Sequence, residues 1–151
     1  MGILKKLFQQ LRPIYMDDPF FGRMEFEKVG FWATHTLFKP LGREVEVIVL
    51  AGETGPIEAQ RELYRELERR YEALSEMIIG AIITEAKEEG LWKPESSRES
   101  LRKDLRVDTL VVRPQNDSNV RWEITCWVSS IGRMALLFFR NWQIERVLLE
   151  C

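Results

Sequence analysis

A chain of 151 residues is the size of one ordinary domain, and 45% hydrophobic with 30% charged residues is a globular composition, not that of a disordered or membrane-embedded chain. The formal charge of −2 supplies no overall attraction for phosphate backbones or anionic membranes. Two cysteines, Cys126 in a strand pattern and Cys151 at the last position, make neither a disulfide framework nor a zinc motif, so both are expected as free thiols in a reducing compartment.

In chain order, Ile3, Leu4, Leu7, Phe8 and Leu11 recur at helical spacing until Pro13, with Lys5, Lys6 and Arg12 set elsewhere. Ordering such an arm costs more than five apolar side chains return, so residues 1–13 are expected to dock on the domain, a second subunit, a partner or a membrane surface. Gln9 and Gln10 interrupt any signal-peptide core, and Lys6 stands where a myristoylation motif needs Ser or Thr; the expected location is the cytoplasm.

Asp17-Asp18-Pro19 reads as a turn, and Met24 and Phe26 then alternate with Arg23, Glu25 and Glu27 as in a half-buried strand. Phe31–Phe38 and Glu44–Leu50 are two further strands, and the short connections favour an antiparallel meander. The period changes at Gly52-Glu53-Thr54-Gly55-Pro56. Pro56 suits a first helical position, and Ile57, Tyr64, Leu67, Tyr71, Leu74, Ile78 and Ile82 follow in steps that place them on one helical stripe. Glu58, Glu62 and Glu66 beside Arg61, Arg65 and Arg69 form its solvated side. Ser75 or Gly80 could divide this helix, and Gly90 is placed to end it.

Ser96 and Glu99 form a capping-box pattern for a short helix through Leu101–Leu105. Strand patterns follow at Thr109–Arg113, around Trp122, Ile124 and Cys126, and at Gln143–Leu149. Met134–Phe139 is apolar throughout, as a strand covered on both faces would be, and Asn141 marks a tight corner. The order βββ–α(α)–α–ββββ is α+β: an N-terminal antiparallel meander, a long central helical segment, and C-terminal antiparallel strands packing with it. One domain over residues 14–151 is expected, in one sheet or two.

The chemistry is sparse. His35, the only histidine, has no acid or nucleophile near it in sequence and reads as structural. Asp17 and Asp18 could be half of a cation site but fit turn chemistry better. Gly52-Glu53-Thr54-Gly55 links a strand to a helix as a phosphate loop does, yet lacks the lysine and hydroxyl of that motif, and Pro56 removes one N–H. Asn116-Asp117-Ser118 matches a glycosylation site without a route to secretion. Arg98, Arg102, Lys103, Arg106, Arg113 and Arg121 form a locally basic stretch without a nucleic-acid-binding motif. No catalytic residue, cofactor or metal is expected. Five tryptophans fit core packing first and an interaction surface second. The candidate interaction residues are Trp32, Trp92, Trp127 and Trp142, with Leu4, Leu7 and Phe8 of the arm.

Phe21-Gly22, Phe31-Trp32, the run Gly42-Arg43-Glu44-Val45-Glu46-Val47, Gly55-Pro56 leading to Gln60 and Tyr64, and a later Phe138, Arg140-Asn141-Trp142 before the closing strand form one pattern. It resembles a family of small bacterial proteins of unknown function, some of whose relatives resemble immunity-type proteins of toxin loci. That resemblance implies binding rather than catalysis and carries over no site residue. The expectation is an intracellular protein-interaction domain, immunity-like or regulatory, with a protein partner. A homodimer through the arm or an uncovered strand edge is one form of this; nucleic acid is disfavoured, and membrane contact through residues 1–12 is a lesser alternative. The competing reading is a small-ligand binder or enzyme whose site assembles only in three dimensions.

Overall fold

The computed structural model describes residues 2–4, 13–27, 30–114 and 119–151. Its framework is a single eight-stranded sheet whose spatial order follows the chain: β1 (Ile14–Asp18), β2 (Gly22–Glu27), β3 (Phe31–Phe38), β4 (Arg43–Val49), β5 (Leu105–Val112), β6 (Arg121–Val128), β7 (Arg133–Arg140) and β8 (Gln143–Glu150). Every neighbouring pair is antiparallel except β4 and β5. Parallel neighbours need a long crossover, and α1 (Glu58–Glu88) and α2 (Arg98–Asp104) fill this one. The α+β expectation is therefore met, in one mixed sheet. Among the described residues no helix is long and apolar enough to cross a membrane.

α1 runs unbroken for 31 residues, about 46 Å. Neither Ser75 nor Gly80 divides it: a Cβ at Gly80 would stand in ordinary contact, 3.6 Å from the Arg98 guanidinium. Its N-cap is Ile57, one residue after Pro56, and the Gln60 side chain reaches back to the Ile57 N–H (3.1 Å) while donating to Leu50 O (2.9 Å). Ile57 is exposed, so the buried stripe begins at Gln60 and Leu63 and continues through Tyr64, Leu67, Leu74, Ile78, Ile82 and Ala86. Gly90, at φ +73°, ends the helix as its sequence position suggests. The α2 cap lies one residue later than the capping-box pattern places it: Ser97 and Ser100 exchange the hydrogen bonds, at 3.1 Å each.

β1 is a strand that the Asp17-Asp18-Pro19 turn signal hides. Met16 pairs with Met24 and Asp18 with Gly22. Asp18 Oδ2 accepts from the Phe20 and Phe21 N–H groups (2.9 Å each), and Arg61 of α1 donates to both Asp18 oxygens. The hairpin is thereby pinned to the first turns of α1. Burial raises the Asp18 carboxyl pKa, but the Arg61 bond and the two N–H groups outweigh it and leave the group below its ordinary value.

The core lies between the helices and one face of the sheet. Trp32, Phe38, Val47, Leu110, Ile124, Leu137 and Phe139 from the strands meet Leu67, Ile78, Ile82 and Leu101 from the helices, all at 2% exposure or less. Tyr64 and Tyr71 stand edge-on to Phe38. Burial raises both phenols, Tyr71 to about 12. Burial likewise pushes the Cys126 thiol up to about 12, so this buried cysteine is inert packing; Cys151 is exposed.

Candidate interaction surface

Among the described residues, the opposite face of the sheet carries apolar groups that neither helix covers. A strand with one wet face alternates. β2 does so, with Met24 and Phe26 inward and Arg23 and Glu25 outward. β7 does not, and the strands beside it break the alternation only at single outward positions. Outward positions carry Val111 on β5, Trp127 on β6, Met134, Leu136 and Phe138 on β7, and Leu148 on β8; Ile48 on β4 extends the set. All are half-buried, and none belongs to the core or to the residues packed on it. Both helices bury their apolar stripes on the inner side.

The register arranges β5–β8 of this outer face into three rows. One runs Val111, Glu123, Phe138, Arg146; the next Thr109, Thr125, Leu136, Leu148; the third Arg106, Trp127, Met134, Glu150. Glu123 is ion-paired with Arg113, and Arg106 with Asp108. Across β1–β4 the same face is mixed, with an Arg23 guanidinium over the Tyr15 ring, His35 opposite Glu46, and Tyr15 and Leu37 exposed.

The residues singled out in the sequence scatter. Trp32 does not belong to a surface: it is buried, with its indole N–H donating to Gly52 O (2.8 Å), because its inward register position faces α1. Trp92 is half-buried against the core. Trp127 is the one tryptophan on the outer face. Trp142 sits in the β7–β8 turn at φ +66°, next to Asn141 at +48°, a conformation that costs a bulky residue about 1–2 kcal/mol. Arg70 lies over its ring, 4.5 Å from the centroid. Leu4 is exposed on a helical turn over residues 2–4, whereas Leu7 and Phe8 lie outside the described residues. Outer-face Met134, Leu136 and Phe138 are missing from that selection. Their signal was the unbroken apolar run, which tryptophan counting overlooks.

The remaining chemistry is structural. Asp17 and Asp18 are successive strand residues and point to opposite faces, so they cannot share a cation. No group of three metal-ligating side chains occurs among the described residues. The turn at Gly52–Gly55 is a packing feature: Gly55 has φ +86°, and a Cβ there would collide with the Met16 thioether. The basic stretch is neutralised locally, Arg98 and Arg102 by Glu76, Arg106 by Asp108 and Arg113 by Glu123. Both arginines lower the Glu76 pKa through hydrogen bonds, Arg98 most. A groove of about 370 Å³ beside Trp142 is lined by Ala59, Leu63, Val120, Glu62 and Glu66. Trp122, buried and in ring contact with Trp142, has an indole N–H without an acceptor among the described residues.

The architecture defines an α+β domain built on one mixed sheet. No family model, curated protein or solved structure matches the chain.

Proposed function

We propose that the chain is a non-catalytic intracellular protein-interaction domain, immunity-like or regulatory, whose working surface is the outer face of β5–β8. One observation carries this reading: β7 is apolar on both faces, and its outer residues, with Trp127 and Leu148 beside them, lie outside the core. A contiguous apolar patch rimmed by charge is the usual mark of a contact surface. The test is affinity capture under native expression with the wild type and Leu136→Glu side by side. A stoichiometric protein recovered by the wild type and missing from a folded variant is expected. Retention by the variant, or repeated failure to recover any protein, contradicts the reading.

The Trp142 groove supports a second reading, a small-ligand binder. Its support is a strained indole lining the groove, in ring contact with Trp122, whose buried N–H has no acceptor among the described residues. Thermal-shift screening against amines, metabolites and metals separates the two: a shift lost in Trp142→Ala favours the groove.

A further inference from the structure

We infer that the outer face of β5–β8 pairs with the same face of a second copy of this chain, about a two-fold axis parallel to the strands and lying between β6 and β7. The inference rests on the reading of that face as the working surface and specifies its occupant.

Charge and shape in the three rows support it. Two sheets packed face to face keep their strands within about 30° of each other. A two-fold parallel to the strands keeps each row level and exchanges β5 with β8 and β6 with β7. In the third row Arg106 then meets the second copy's Glu150, and Trp127 meets its Met134. The middle row sets Leu136 on Thr125 and Leu148 on Thr109. In the first row Arg146 lies over Val111, beside the second copy's Glu123. The third row thus puts opposite charges at both of its ends with an apolar pair between them, the middle row sets apolar side chains on threonines, and the first row alone leaves a charge, Glu123, on an apolar ring, Phe138. An isologous interface requires this self-complementarity.

The size of the surface sets the strength. Four strands of eight residues present roughly 20 by 27 Å, so a pair of copies would bury on the order of 1,000 Å². That is the lower end of specific interfaces, and a dimer dissociating at micromolar concentration is expected.

Sedimentation equilibrium from about 1 to 300 μM brackets such an affinity. The wild type should pass from monomer to dimer across this range. Leu136→Glu should remain monomeric while keeping its cooperative melt, and Leu136→Ser serves if the glutamate impairs folding. Arg106→Glu should weaken the dimer about tenfold, and Arg106→Glu combined with Glu150→Arg should recover most of that loss, since the swapped pair meets again across the axis. A wild type monomeric throughout overturns the second copy as occupant, and the capture experiment still judges the interaction reading separately. A dimer that survives Leu136→Glu, as an edge-to-edge dimer through β8 would, overturns it as well. A charge swap without recovery overturns the assigned axis.

Discussion

The two faces of β7 present nearly the same chemistry to different surroundings. Ala135, Leu137 and Phe139 point inward and are exposed by 2% or less, whereas Met134, Leu136 and Phe138 point outward and are half-buried. β2 shows what the same sheet does where a face meets only water: its outward residues are Arg23 and Glu25. One sheet therefore contains strands composed for one dry face and one strand, β7, composed for two. Folding of a single copy explains the inner set. The outer set is only half-buried in one copy, which is the ground for the proposed contact surface.

Large-to-small substitutions should separate the faces most sharply. Phe139→Ala opens a cavity against Trp122, whose ring it stacks on at 3.9 Å, and should cost about 4 kcal/mol in urea unfolding. Phe138→Ala, its outward neighbour, should cost under about 1 kcal/mol when both are measured at concentrations below dimerisation. Equal losses would break the comparison.

Asp18→Ala should cost about 3 kcal/mol, because it takes the acceptor from the Phe20 and Phe21 N–H groups and breaks the ion pair to Arg61, which keeps only Glu58 and Pro56 O. The depressed carboxyl also fixes a pH dependence. A group with a lowered folded-state pKa binds its proton more readily when unfolded. Its contribution is complete above the ordinary value of 3.8 and is lost as pH falls through the lower folded value. The difference in stability between wild type and Asp18→Ala should shrink in that acid window and stay constant from pH 5 to 8. A difference that grows on acidification contradicts this.

A smaller contrast lies within the core. Trp32 and Trp122 are equally buried, but only the first has an acceptor for its indole N–H among the described residues. Trp32→Phe should cost about 2 kcal/mol, and Trp122→Phe about 1, since the second removes an unsatisfied donor along with the lost packing. Chemical denaturation of the two variants gives the ranking. The smallest effect is expected at Leu136→Thr, within about 0.5 kcal/mol for the monomer.

Periodicity made most of this architecture readable. Alternation in β2 and β3 and the 3.6-residue stripe of α1 each state which side faces the core, and the positive-φ corners at Gly90 and Asn141 stand where their residue types suggest. β1 was illegible because Asp17-Asp18-Pro19 carries turn chemistry, although Asp18 performs its capping from the last position of a strand. The parallel pairing of β4 with β5 joins segments more than fifty residues apart, and no local pattern encodes it. The proposed contact surface was half legible. Met134–Phe139 stood out as apolar throughout, but whether its outer side is covered depends on where both helices go.

The central claim is that the outer face of β7 is open in one copy while the inner face is sealed. Thiol labelling tests it directly, with Phe138→Cys and Phe139→Cys each placed in a Cys151→Ser background, in dilute native solution. The Phe138→Cys thiol should react about as fast as the exposed wild-type Cys151. The Phe139→Cys thiol should wait for global unfolding and react at least about a thousandfold more slowly. Protection of both thiols, or rapid reaction of both, would contradict the account.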